Sequence, residues 1–190
     1  MPSLNIATVN TIFEKLGIEN ADDFTSFIET GTNLGHTIVA MQQYFPELHT
    51  IELSDHYYEL FESRKASMGL NNISTYHGDS SVVIRDILIN LDESTNAVFW
   101  LDGHWSSGDT AQGDKDCPLI EECSSIDELY KAKYAVILVD DYRLFGTKYN
   151  EDWTDITEEN ILNCFNNFKV SNKVIHEDSF CLLIEKNESL

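Results

Sequence analysis

Asn96–Trp105 reads NAVFWLDGHW: five apolar residues from Ala97 to Leu101, then Asp102, Gly103, His104 and Trp105. A short apolar run rich in Val and aromatics is the pattern of a strand buried on both faces. The polar cluster then falls just past the carboxyl end of that strand. In open α/β sheets this rim is where ligands bind. An acid ending one buried strand is common. Here other strand ends in the chain carry acids too, and the stretch takes its meaning from them.

Outward from this stretch, strands and helices alternate. Ile6, Val9, Phe13 and Leu16 have helical spacing and Gly17 supplies a stop. Strands are predicted at 24–29, 48–53, 73–77, 97–101 and 134–139, with helices at 36–45, 55–68, 80–89, 118–131 and 158–168. Asp55 reads as the cap of the second of these, Gly69 as its close. Segments 173–176 and 179–184 read as a closing hairpin, with no helix between them. Such alternation predicts one domain with a parallel sheet covered on both faces, residues 1–23 forming a cover helix or lid. The segment 106–116 is polar and Gly-rich, a loop by composition.

Twelve basic residues stand against thirty-three acidic ones, a formal net charge of −21. No basic run or stripe is present to neutralise phosphates, so nucleic acids and anionic membrane surfaces are excluded as partners. No apolar span is long enough for a transmembrane helix, and the first residues lack a signal-peptide pattern. Cys117 and Cys123, separated by five residues, have no zinc-ribbon spacing, and with Cys164 and Cys181 they read as free thiols in a reducing cytoplasm.

Three strand ends suggest a ligand. Phe27-Ile28-Glu29-Thr30-Gly31-Thr32-Asn33-Leu34-Gly35 ends a strand in an acid, and its glycines allow a tight turn into a helix start. It is neither a P-loop nor GxGxxG, because no Gly-Lys-Ser/Thr follows and Gly31 and Gly35 are four apart. Glu52 follows Glu29 by twenty-three residues, a distance suited to gripping two ribose hydroxyls. Gly78-Asp79-Ser80 places a carboxylate where an adenine amine would lie, although Asp79 also suits a plain helix cap.

Together, Glu29-x-Gly31-x-x-x-Gly35, Glu52, Gly78-Asp79 and the terminal hairpin resemble class I S-adenosylmethionine-dependent methyltransferases. The resemblance spans about residues 24–185. It implies a Rossmann-like three-layer α/β sandwich with a seven-stranded, mostly parallel sheet whose last strand is antiparallel. It also implies S-adenosylmethionine across the strand ends, against Glu29, Gly31, Thr32, Asn33, Gly35, Glu52, Leu53, Gly78, Asp79, Ser80 and Asp102. Asn33 departs from the glycine many members carry there.

Asp102 ends one strand and Asp140-Asp141-Tyr142 the next; neighbouring strands lie about 5 Å apart, so these acids can converge. Three hard oxygen ligands suit Mg²⁺. The pattern resembles metal-dependent sugar O-methyltransferases of macrolide and aminocoumarin biosynthesis, which implies Asp102, Asp140 and Asp141 as metal ligands. Where those enzymes carry a catalytic Asp this chain has His104, an imidazole able to take a hydroxyl proton near neutral pH. Trp105, Tyr142 and Arg143 become candidates for the acceptor, with Asp109 and Thr110 in the loop. For Arg143, pairing with one of many carboxylates is the plainer reading.

The expected activity is therefore Mg²⁺-assisted O-methylation of a small acceptor, a sugar or nucleotide-sugar, by a cytoplasmic enzyme that forms a homodimer, with Asp102 and His104 as the catalytic pair. The alternatives are a metal-independent small-molecule methyltransferase and a non-catalytic binding domain on the same fold. A nucleotide-sugar dehydrogenase or epimerase would need Tyr-x-x-x-Lys, which is missing from this sequence.

Overall fold

The computed structural model describes residues 4–106 and 110–188. Its centre is a seven-stranded sheet: β1 (Phe24–Thr30), β2 (Glu47–Glu52), β3 (Ile73–His77), β4 (Asn96–Leu101), β5 (Tyr134–Val139), β6 (Phe168–His176) and β7 (Ser179–Lys186). The spatial order is β3-β2-β1-β4-β5-β7-β6. The first five strands pair in parallel, and β7 lies antiparallel between β5 and β6. Chain order reverses between β1 and β4, so the crevice of an open α/β sheet opens above their carboxyl ends.

The unbroken apolar runs serve two cores at once, because side chains alternate across a strand. Ile28, Phe99, Leu101, Ile137 and Val139 face one side, where α4 (Ser80–Asn90), α5 (Leu119–Leu129) and α6 (Glu158–Asn163) pack. Phe27, Val98, Trp100, Val136 and Leu138 face the other, under α1 (Ile6–Leu16), α2 (His36–Met41) and α3 (Asp55–Met68). Helix α1 buries Val9, Ile12, Phe13 and Leu16, and the Asn172 side chain donates to its last carbonyl, Leu16 O, at 3.0 Å. It therefore covers the β6–β7 end of the sheet rather than the crevice. Among the described residues no helix is long and apolar enough to cross a membrane, and all four cysteines are free.

Local boundaries differ from the sequence reading where side chains intervene. Ser54, not Asp55, caps α3: its hydroxyl accepts the Tyr57 N–H. Helix α2 stops at Met41 instead of running to Phe45, because Asn72 Nδ2 donates to the carbonyls of Gln42 and Phe45, each at 3.0 Å. That turn delivers Phe45 onto the ring of Phe27, with centroids 5.3 Å apart. Helix α6 ends at Asn163 rather than Phe168, which opens β6.

A buried carboxylate causes the last difference. Asp127, on α5, accepts the backbone N–H groups of Asn166, Asn167 and Phe168 on Oδ1, at 2.9, 2.8 and 3.2 Å. Three N–H groups directed at one oxygen cannot stay in a helical ladder, so the chain turns into β6. We predict that Asp127→Ala lowers stability by about 2–4 kcal/mol, since three converging backbone donors would lose their shared carboxylate partner. Urea unfolding should show a lower midpoint at unchanged slope; a shift under about 0.5 kcal/mol would show that water replaces the carboxylate.

Candidate active site

Glycine sets the closeness of the β1–β4 junction. Gly31 has φ +85°, and a Cβ there would stand 2.3 Å from the carbonyl oxygen of Asp102. Only glycine permits that approach. The Gly31 and Thr32 N–H groups donate to Ile51 O on β2, at 2.9 and 3.2 Å, while Asp102 N–H donates to Thr30 O at 3.2 Å. The ends of β2, β1 and β4 are thus laced together. Gly35, at φ +69°, lies one turn on, where its missing Cβ makes room for the Phe61 ring.

Glu52 holds the turn between β1 and α2. One carboxylate oxygen accepts the Asn33 N–H at 2.7 Å and the other the Ser54 N–H at 2.8 Å. Asn33 fills the position expected to hold glycine by adopting φ +47°, and its own Oδ1 accepts the Leu34 N–H. At the end of β3, Asp79 caps α4 through Oδ1, which accepts from Ser81 N and Oγ at 2.9 and 2.6 Å. Its Oδ2 lies under loop residue Gly113, where a Cβ would come within 2.7 Å.

These ends enclose a cleft of about 360 Å³. Thirteen of the residues expected at a site line it: Glu29, Gly31, Thr32, Asn33, Glu52, Leu53, Gly78, Asp79, Ser80, Asp102, His104, Trp105 and Asp140. Thr110 is also on its wall, whereas Asp109 falls outside the described residues. Gly35, Asp141, Tyr142 and Arg143 do not line it. Tyr142 donates its hydroxyl to Glu158 at 2.7 Å and stacks near Phe180. Arg143 pairs with Asp141 and Asp178, as the plainer reading had it.

The wall concentrates acids that burial makes reluctant to ionise. Burial lifts Glu29 to about 8 against the Thr50 hydroxyl, which donates to it at 2.6 Å; nearby Glu52 adds to the rise. Burial also raises Asp102, and the Asp140, Asp141 and Glu29 charges push the same way. Asp140 is lifted to about 6, mainly by burial. The Trp100 indole N–H, buried on the cleft wall, points at Asp102 and opposes the rise of its pKa.

His104 is held between carboxylates. Nδ1 lies 3.6 Å from Asp102 Oδ1, and Nε2 lies 3.1 Å from Asp141 Oδ2 and 3.8 Å from Glu151 Oε2. The Trp153 ring meets the imidazole edge-on at 5.0 Å. Burial depresses the His104 pKa, outweighing Asp141 and Glu151, which raise it. Ligand atoms of Asp102, His104 and Asp141 all lie within 4.8 Å of one another. Asp140 stands outside that group, so the structure gathers two of the three acids expected to bind metal and adds the histidine.

The sequence reading passed over Glu122, Trp100 and Glu151. Glu122 is 1% exposed under the cleft floor, raised to about 7 by burial against hydrogen bonds from Ser80 and Thr30. Its signal was positional. An acid three residues after Leu119 and four before Ile126 sits on the apolar stripe of α5.

The sequence matches no protein-family model, and no curated protein matches it. Solved structures do match. The O-methyltransferase TomG of tomaymycin synthesis from Streptomyces achromogenes, solved with S-adenosylmethionine, is 16% identical with a TM-score of 0.59, covering 97% of this chain and 82% of that one. A protein assigned as a methyltransferase from Streptococcus mutans, bound to S-adenosylhomocysteine, is 14% identical with a TM-score of 0.57, covering 98% and 100%. An rRNA methylase from Streptococcus thermophilus is 12% identical with a TM-score of 0.55, covering 98% of both. At these identities the likeness establishes the fold: this chain has the Rossmann-like α/β fold of S-adenosylmethionine-dependent methyltransferases.

Proposed function

We propose that the chain is an S-adenosylmethionine-dependent O-methyltransferase acting on a hydroxyl of a small, uncharged acceptor, with sugars the favoured class. The observation that carries this reading is the cleft at the β1–β4 switch point, lined by Glu29, Glu52, Asp79 and Asp102 from four successive strand ends. The residues present fit the donor. Gly31 removes the side chain that would block close backbone approach at the cleft. Glu52 keeps lone pairs free beyond its two backbone bonds, enough for ribose hydroxyls. The donor supplies an activated methyl group on positively charged sulfur, so the chain's task is alignment and proton removal.

Net charge and the rim argue for the acceptor class. A chain at −21, with acids around the cleft, repels a phosphate backbone, so the fold shared with an rRNA methylase does not extend to RNA. The cations nearest the cleft are already paired: Lys115, on its wall, with Glu121, and Arg143, beyond it, with Asp141 and Asp178. A neutral sugar fits better than a nucleotide-sugar. Trp105, half-buried on the wall, offers a face for the ring.

A divalent cation at the rim acids would hold neighbouring acceptor hydroxyls and lower their pKa. Proton removal falls to Asp140 rather than His104. Asp140 faces the cleft free of the three-residue cluster, while both nitrogens of the largely buried His104 ring point at carboxylates.

Calorimetry with S-adenosylhomocysteine should show saturable binding at one site, and Gly31→Ala should weaken it by at least about 100-fold, since a Cβ meets backbone that cannot yield. No binding by the native chain would end the methyltransferase reading and leave a fold used for something else. Asp140→Asn should cut turnover about 10²-fold, the usual contribution of a positioned base, with S-adenosylhomocysteine affinity unchanged. Unaltered turnover would return the proton to another group. Chelator should abolish turnover on a sugar acceptor yet leave S-adenosylhomocysteine bound; full turnover in chelator would favour a metal-independent enzyme.

A further inference from the structure

We infer that the rim holds a first-row transition ion through a mixed nitrogen and oxygen set, Asp102, His104 and Asp141, and not Mg²⁺ through three acids. The inference rests on the reading of the cleft as a methyl-transfer site only for the ion's use, not for its binding.

Asp141 supplies the first observation. It is 1% exposed, and its Oδ2 has no hydrogen-bond partner although Oδ1 is taken by Arg143. A buried carboxylate oxygen without a donor carries a desolvation cost that a ligand would offset. The left-handed backbone at Asp141, φ +58°, fixes the direction of that side chain. A non-glycine residue keeps such a conformation only where its surroundings maintain it.

The imidazole supplies the second. His104 Nε2 stands 3.1 Å from the same Oδ2 without the alignment of a hydrogen bond. Two donors each about 2.1 Å from one tetrahedral or octahedral ion lie roughly 3.0–3.4 Å apart, so this separation matches two ligands sharing a metal. Trp153 fixes the ring from its edge, and the Trp153 indole N–H in turn donates to Glu151 at 2.9 Å. Asp102, a third of its side chain still open to the cleft, approaches the other ring nitrogen at 3.6 Å; because one ligand atom from each residue lies within 4.8 Å of the other two, it serves as the third ligand and leaves positions for an acceptor's oxygens.

Ligand type then chooses the ion. Mg²⁺ favours six oxygens in near-ideal geometry and gives up water reluctantly. Imidazole beside two carboxylates suits Mn²⁺, Fe²⁺, Co²⁺ or Zn²⁺, and nitrogen ligation favours the later members over Mg²⁺.

The test uses metal-stripped, untagged full-length chain titrated with Co²⁺ alone and followed by visible absorption and proton NMR. One Co²⁺ per chain should bind, with d–d bands and a paramagnetically shifted, exchangeable imidazole N–H resonance. Mg²⁺ in 100-fold excess should leave the spectrum unchanged. His104→Gln should weaken Co²⁺ at least about 100-fold while retaining the native melting transition. Absence of the bands, loss of the spectrum in 100-fold Mg²⁺, a bound Co²⁺ lacking the imidazole resonance, or undiminished Co²⁺ affinity in folded His104→Gln would each overturn the inference; the first three need no variant. Calorimetry with S-adenosylhomocysteine on the same stripped sample separates the two readings. A chain that binds S-adenosylhomocysteine but takes up no Co²⁺ defeats this inference alone, and one that takes up Co²⁺ but fails to bind S-adenosylhomocysteine defeats the methyltransferase reading alone.

Discussion

The structure depends on how closely two backbones approach where β1 leaves the sheet. With Gly31 against the Asp102 carbonyl, the turn into α2 and the loop after β4 share one seam. Everything ligand-facing is hung from it. Glu29 and Asp102 come from the two strands that meet there, and Glu52 braces the turn from the next strand. A side chain at Gly31 would have to push the strand ends apart, opening the cleft at its centre.

Around that seam the chain places carboxyl groups where burial penalises their charge. Glu29, Asp102, Asp140 and Glu122 are all raised, each chiefly by burial. Of the rim acids, Asp141 has Arg143 as a fixed cation. Structural acids in a core are normally paired or replaced by apolar residues. A group kept buried and largely uncompensated is the arrangement expected where a cationic ligand completes the site, though stability is lost while it is absent.

Much of this was legible in the sequence because strand burial leaves a continuous apolar mark. The runs at 97–101 and 134–139 feed both cores at once, and few other structures need such runs. Acids following those runs, together with Glu29 and the glycine turn after the first strand, mark the rim in the sequence. What stayed hidden depended on contacts distant in sequence. The ends of α2 and α6 are set by Asn72 and Asp127, about 30 and 40 residues from the groups they bind. The same limit affects the rim. Strand spacing brings three acids near one another, but it does not say which way side chains at 140 and 141 turn; Asp140 faces the cleft, while Asp141, at φ +58°, meets His104.

The acid-lined mouth also acts beyond contact range. A cleft of one sign on a chain of net charge −21 focuses potential outward and raises the local concentration of cations. A positively charged sulfonium donor would then be captured faster than its neutral-sulfur product, from the field alone. At physiological ionic strength that field decays over about 8 Å, so the advantage belongs to the last stage of encounter. The donor–product asymmetry in association rate would shrink as salt rises, while contacts inside the cleft would be little affected.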